Sequence, residues 1–350
     1  MKISVAMATY NGATYIREQL ASLAGQTRPP DELVVSDDGS DDRTLDIVHA
    51  FAATACFPVV VADKTERLGF ADNFLHAVAA CRHEIVAFCD QDDVWLPRKL
   101  ELGAECISRD GSLLSMHTLT VTDSVLRPTC FEWDQEIKAD KVLEPLELNP
   151  FGTGWGNTMM FHRKLAHLIP PADRPAQPYE RGRRLSHDTW IYALAAALGR
   201  VSQMRMPLIL YRQHGATTTI ATAPRRRSRM LSAARVPIAE YRERAWFDGE
   251  MGCLMERVAL QDGPFAKAAR LAAARFAERC VLWDARIGVF DGKSLAERRA
   301  SYHRHQRLAG SQRHWIGSRL KDLVLGVTGA TRAAERRSLR ERKKTASSVS

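Results

Sequence analysis

No stretch of this 350-residue chain approaches the roughly 18 consecutive apolar residues that a membrane-spanning helix requires. Its seven cysteines, Cys56, Cys81, Cys89, Cys106, Cys130, Cys253 and Cys280, are odd in number and never stand in Cys-x-x-Cys spacing. That argues against a zinc ribbon or a disulfide framework and predicts reduced thiols in a core. The opening MKISVAMATYNG lacks the long apolar core of a secretion signal and reads as a strand and a turn. A P-loop is missing, and Gly12 alone does not make the Gly-rich amino-terminal phosphate loop of a nucleotidyltransferase. No internal repeat is visible. A soluble chain, or one lying on a membrane surface, is expected.

What is present is an uneven spread of charge. Residues 1–220 carry 22 Lys and Arg against 28 Asp and Glu, whereas residues 221–350 carry 28 against 13. A basic tail on an acidic body points to an anionic partner for the tail, a lipid surface or a nucleic acid. At 45% apolar residues the chain can bury a sizeable core. Its length suits one large domain plus an extension.

Residues 84–97, EIVAFCDQDDVWLP, organise the rest. The apolar run from Ile85 to Cys89 has no polar break, as in a strand covered on both faces of a parallel sheet. It ends in Asp90-Gln91-Asp92-Asp93. Isolated charges carry a large desolvation cost in a core, so all three acids are expected at the carboxyl end of the strand, where open α/β sheets bind ligands. Asp-x-Asp there aims two hard oxygen ligands at one point, which suits Mg²⁺ or Mn²⁺ holding substrate phosphates. Three acids alone fit a solvated, helix-capping loop equally well.

Around this stretch the pattern alternates. Strands are predicted at Ile3–Met7, Leu33–Ser36 and Val59–Val61, with helices carrying Ile16, Leu20 and Leu23, then Leu45, Val48 and Phe51, then Phe74, Ala77 and Val78. The first strand ends in Thr9-Tyr10-Asn11-Gly12 and the second in Asp37-Asp38-Gly39-Ser40. Such alternation predicts a parallel, doubly wound half-domain with its polar loops on one rim. Further strands are expected at 113–122, 155–162 and 207–211, with a helix from Ser186-His187-Asp188 onward. Beyond Pro224 the sequence turns Arg-rich and Ala-rich. Amphipathic helices are expected over Phe265–Cys280 and Trp315–Val324, and a disordered tail at 332–350.

Taken in order, Thr9-Tyr10-Asn11-Gly12, Asp37-Asp38-Gly39-Ser40, Asp90-Gln91-Asp92-Asp93 and His187-Asp188 resemble the inverting glycosyltransferases of family 2. That family includes the cellulose and hyaluronan synthases. Cys89-Asp90-Gln91-Asp92-Asp93-Val94-Trp95, His187-Asp188-Thr189-Trp190 and Tyr211-Arg212-Gln213-His214-Gly215 are most similar to bacterial rhamnosyltransferase-like members. The resemblance covers residues 1 to about 220. It implies a GT-A fold, an α/β Rossmann-like mixed sheet with helices on both faces, as a catalytic domain at 1–222. A basic helical extension at 223–331 and the tail would follow.

The resemblance also implies roles. Thr9, Tyr10, Asn11 and Asp38 would hold the donor nucleotide, with Tyr10 stacked on the base and Asp38 accepting a ring N–H. Uracil and thymine offer that donor at N3, so a UDP- or dTDP-sugar is favoured. Asp90, Asp92 and His214 would hold Mg²⁺ or Mn²⁺ against the diphosphate, and Asp188 would be the general base. Asp93, His187, Arg212, Trp155 and Trp190 would face the sugar, the diphosphate or the acceptor, with the Gly152-Thr153-Gly154 loop beside them. Several have a plainer alternative: Asp188 and Asp93 as helix caps, Trp190 as core, His214 as a structural histidine; for Asp37 the turn-stabilising reading is preferred. The expected partners are a nucleotide-sugar donor and a glycan or lipid-linked acceptor, with the basic helices touching the cytoplasmic face of the inner membrane. The same helices equally fit a solvated bundle.

Two other readings compete. A haloacid-dehalogenase-like phosphatase would use Asp90 of Asp-x-Asp-x-Val as nucleophile, but its downstream Lys and acidic pair are not found. A nucleic-acid-binding protein would act through the Arg-rich end with a steep salt dependence. The resemblance argues against nucleic acid as a partner.

Overall fold

The computed structural model describes residues 1–130, 137–147, 154–215, 238–309 and 322–327. Gly152, Thr153, the stretch around 223, Trp315 and the tail from 332 lie outside them, so those expectations go undescribed. The chain divides into two compact units, Met1–Pro224 with Val258–Ala272, and Arg225–Arg257 with Ala273–Ser350.

In the first unit the alternating pattern folds as four parallel strands and three helices: β1 (Ile3–Thr9), α1 (Ile16–Ala24), β2 (Glu32–Asp37), α2 (Thr44–Ala52), β3 (Val59–Val61), α3 (Phe70–Ala80) and β4 (Ile85–Cys89). There follow β5 (Val94–Trp95), α4 (Lys99–Asp110), β6 (Leu114–Thr122), β7 (Lys141–Leu143), β8 (Met159–His162), β9 (Ala176–Gln177), β10 (Glu180–Arg184), α5 (His187–Leu198) and β11 (Val201–Arg212). The main sheet runs β3-β2-β1-β4-β8-β6-β11-β5, with β7 on β11. It is mixed: β3, β2, β1 and β4 are parallel, and β8 lies antiparallel between β4 and β6.

Strand periodicity divides the helices between two faces. Ile3, Val5, Met7, Leu33, Val35, Ile85 and Cys89 join Ile16, Leu20, Leu23, Val48, Leu100 and Ile107 of α1, α2 and α4 in one core. On the other face Ser36 donates to Asn73 of α3 at 2.6 Å, and Phe88 packs edge-on against Phe74 of α3.

Three local expectations need correcting. Residues 156–158, predicted as strand, form a 3₁₀ turn, and β8 begins only at Met159. β11 extends from Val201 to Arg212 instead of 207–211, because Val201–Met204 pair in parallel with Leu114–His117 of β6. Of the seven free cysteines, Cys56, Cys130 and Cys253 are exposed, so the thiols are not uniformly in the core.

In the second unit, α6 (Ile238–Ala259), α7 (Ala266–Asp291) and α8 (Leu295–Ala309) supply most of the described residues, and the first and last turns facing each other in sequence (258–259 and 266–272) belong to the first unit. Ile238, Tyr241, Trp283, Val289, Phe290 and Val327 make its core. Asp248, buried at 1% exposure, accepts from Arg279 Nε at 2.9 Å and Trp283 Nε1 at 2.7 Å. No described helix is long and apolar enough to cross a membrane.

Candidate active site

The carboxyl ends of β1, β2 and β4 open on one cleft of about 620 Å³, within the range of small-molecule sites. Its walls include Thr9, Tyr10, Asn11, Asp38, Arg67, Phe70, Asp90, Gln91, Asp92 and His214. Three strand ends, the segment before α3 and the segment after β11 thus bring together residues up to about 200 positions apart.

At the β2 end, the carboxylate of Asp37 accepts from Thr9 Oγ1, Gly39 N and Ser40 N, a turn-stabilising role. Asp38 is buried at 4% exposure and accepts from Lys64 Nζ, Leu68 N and Gly69 N at 2.6, 2.7 and 2.9 Å. Burial works against its ionisation, but these hydrogen bonds win and hold the carboxyl below the usual range. Arg67 reaches Asp38 at 3.6 Å and lies over the Tyr10 ring at 3.9 Å. Lys64 and Arg67 were not anticipated; single basic residues in a loop carry no pattern.

At the β4 end the acids separate. Gln91 clasps the Tyr10 backbone, accepting from its N–H and donating to its carbonyl at 3.0 Å each. Asp92 faces the cleft, with Oδ2 at 2.9 Å from His214 Nε2. Asp93, expected on the rim, is instead fully buried. The core tolerates it because Asn157 Nδ2 and Arg212 N donate to its carboxylate at 2.7 and 3.1 Å. Burial and the neighbouring Asp92 push its pKa up to about 7. It neither caps α4 nor faces the cleft. Asp90 is half-buried, and burial with the charges of Asp93, Asp92 and Asp188 drives its carboxyl well above the usual range.

Below the acids, Lys99 is fully buried, 2.8 Å from His117 Nε2, and donates to Asn157 O at 2.7 Å. Its ammonium also sits 4.4 Å from the Trp95 ring. Burial draws the Lys99 pKa down to about 7 against the pull of Asp93 and Asp90. Arg212, expected to reach the diphosphate, is 2% exposed and donates to Asp92 O, Ser124 O and Glu18. Its guanidinium also packs on Tyr15, whose ring lies 4.6 Å from that of His214. Arg212 and Tyr15 thus brace the segment that presents His214.

Asp188, in the first turn of α5, is not among the residues that line the cleft; Ser186 Oγ and Thr189 N donate to its Oδ1. Asp188 is half-buried and close enough to Asp90 to perturb it. His187, expected beside the ligands, is 3% exposed, stacked on Phe74 at 4.0 Å and edge-on to Phe88. Trp190 is 1% exposed, a core residue and not a platform. Trp155 is half-buried and does not line the cleft.

Burial lowers the His187 pKa to about 4. An unfolded chain takes up a proton there below about pH 6.5, whereas the native ring refuses it until about pH 4. His187 therefore removes stability as pH falls across that window, by about 3 kcal/mol at its lower end. Asp93, raised to about 7, acts with the opposite sign. The readout is accordingly a difference: urea unfolding of His187→Phe should lose less stability than wild type between pH 7 and 4.5. Parallel curves would refute the neutral ring.

Among the described residues, no group of three His, Cys, Asp or Glu side chains converges as a metal cage. Asp90 does not complete one with Asp92 and His214. The pair alone fits a hard cation: cis ligands of an octahedral Mg²⁺ stand about 3 Å apart, and such ions are bound by one or two carboxylates plus substrate phosphates.

Comparison with known proteins agrees with this geometry. Residues 4–167 match the family model of glycosyl transferase family 2. The fold is that of GT-A glycosyltransferases, and residues 4–167 are similar to glycosyl transferase family 2. An uncharacterized glycosyltransferase of Nostoc sp. is 29% identical over 64% of this chain and 68% of its own length. The dTDP-rhamnosyl transferase RfbG of Shigella flexneri is 31% identical over 29% of this chain and 36% of its own. The crystal structure of S. aureus TarS 1–349 in complex with UDP-GlcNAc superposes with a TM-score of 0.50 at 20% identity, covering 96% of this chain and 92% of that one. The phosphatase reading finds no support in this family, and Lys99 is sealed away from the cleft.

Proposed function

We propose that this glycosyltransferase moves a sugar from a uridine or thymidine diphosphate donor to a hydroxyl of a cell-surface polysaccharide or lipid-linked acceptor, with inversion. The observation that carries this reading is the single cleft walled by Tyr10, Asp38, Asp92 and His214, with the charge of Asp188 near enough to help raise the Asp90 carboxyl.

Tyr10 and Asp38 hold the base. Asp38 keeps its charge through the bonds from Lys64, Leu68 and Gly69, so it remains an acceptor for a base N3–H. Asp92 and His214 would hold Mg²⁺ or Mn²⁺, which when bound offsets the charge developing on the leaving diphosphate. Asp188 has Oδ1 oriented by Ser186 and Thr189. Its carboxylate takes the proton of the acceptor hydroxyl while that oxygen bonds to the anomeric carbon. The bond from that carbon to the phosphate oxygen breaks, and the nucleoside diphosphate leaves with its electron pair.

Rhamnose from dTDP-rhamnose is favoured by the likeness to RfbG, which its name describes as a dTDP-rhamnosyl transferase. A UDP-sugar is the second candidate, since TarS binds UDP-GlcNAc. We place the enzyme in the cytoplasm, with its basic carboxy-terminal helices touching anionic lipid. Nucleoside diphosphate release from UDP-, dTDP- and GDP-sugars with and without Mn²⁺ tests the proposal. Release from uridine or thymidine donors but not guanosine donors is expected. A guanosine preference would overturn the role of Asp38, and no release from any donor would overturn the transferase reading.

A further inference from the structure

We infer that the ring of Phe70 is the stacking platform for a pyranose ring in the cleft, an inference that rests on the transferase reading. Phe70 is 47% exposed and lines the cleft. It opens α3 directly after Gly69, whose φ of 78° turns the chain back toward Asp38. Leu68 and Gly69 donate to Asp38, so Phe70 begins where the base end of the site stops. On its other side the ring meets His187 at 5.2 Å and Phe74 at 6.2 Å, with planes nearly perpendicular to both. His187 immediately precedes Asp188. The ring thus stands between the residues proposed to read the base and the one proposed to take the acceptor proton.

Half-exposure of a large apolar ring in a cleft that also holds Asp38, Asp90 and Asp92 needs an explanation. Phe70 is held from behind by two rings, so its orientation costs little entropy to fix on binding. The other exposed ring in these walls, Tyr10, is the one proposed to take the base. Pyranoses present a face of axial C–H groups, which complements the electron-rich face of an aromatic ring and buries apolar area. A base would also stack, but Tyr10 and Asp38 already form a base site on the far side of Gly69. The sugar arrives from one of two sources, the donor or the acceptor.

Full-length Phe70→Ala, Phe70→Leu and Phe70→Trp separate these. Titrations with UDP, dTDP, UDP-glucose and dTDP-rhamnose are run in Mn²⁺, and transfer is measured to methyl glycosides as soluble acceptor probes. If the donor sugar stacks, Phe70→Ala weakens the nucleotide sugars about tenfold and leaves UDP and dTDP within about twofold. If the acceptor sugar stacks, nucleotide-sugar affinity holds and the acceptor KM rises about tenfold. Either result supports the platform, with Phe70→Trp retaining function and Phe70→Leu intermediate. Equal weakening of free diphosphates and nucleotide sugars would overturn it, placing the ring on the base or ribose. So would unchanged constants throughout. Since wild type releases nucleoside diphosphate only if the transferase reading holds, failure of that reading is seen in wild type alone.

Discussion

Asp92→Asn is expected to lower Mn²⁺-dependent release of nucleoside diphosphate by 10²- to 10³-fold, the scale on which removing one electrostatic stabiliser of a transition state is felt. Asp92 is one of the two acids of the β4 loop that line the cleft, and its Oδ2 meets His214 Nε2 at 2.9 Å. An amide preserves that hydrogen bond and the shape of the loop but removes the charge. The Mn²⁺ concentration needed for half-maximal release should therefore rise, while unfolding stays close to wild type. Asp93→Asn makes the contrasting case. Its carboxylate is buried and accepts from Asn157 and Arg212, so an amide would turn a donor toward a donor and destabilise the fold by about 1–3 kcal/mol. Urea unfolding and Mn²⁺ titration on both variants distinguish them. If Asp92→Asn kept full Mn²⁺-dependent release, its carboxylate would not be part of the phosphate site.

That contrast also marks how far the sequence was legible. The unbroken run Ile85–Cys89 placed β4 in the middle of a sheet, and the same logic located β1, β2, β3 and their rim loops, because an apolar strand leaves polar residues nowhere but its ends. The residue pattern Asp-Gln-Asp-Asp does not say which acid turns inward. Only the arrival of Asn157 and Arg212, 64 and 119 positions later, makes burial of Asp93 affordable in free energy. Nothing local to Lys99 reveals that His117 and Asn157 O will surround it. Short β5 and β7 carry too few residues for periodicity to register. Phe70 was invisible for another reason: an aromatic residue opening an amphipathic helix reads as core, and its exposure follows from how α3 meets the cleft.

Asp188→Asn is expected to cost 10²- to 10⁴-fold in transfer, with nucleotide-sugar affinity unchanged. Its Oδ1 accepts from Ser186 Oγ and from Thr189 N in the first turn of α5, so the second carboxylate oxygen is the one proposed to take the proton. An asparagine keeps its carbonyl oxygen for those two donors and loses the proton acceptor on the other atom. Gly156 offers an independent check on position. A Cβ there would fall 2.8 Å from His187 Nε2 and 3.3 Å from Asp188 Cβ. His187 cannot retreat, because Phe74 and Phe88 pack against it. Gly156→Ala should therefore move Asp188 while leaving its chemistry intact, and a displacement approaching 1 Å costs up to about 10²-fold. Rates of transfer tell the two apart: the loss should stay within about 10²-fold for the alanine variant and reach up to about 10⁴-fold for Asp188→Asn. An Asp188→Asn enzyme with full transfer would move the proton acceptor to another residue.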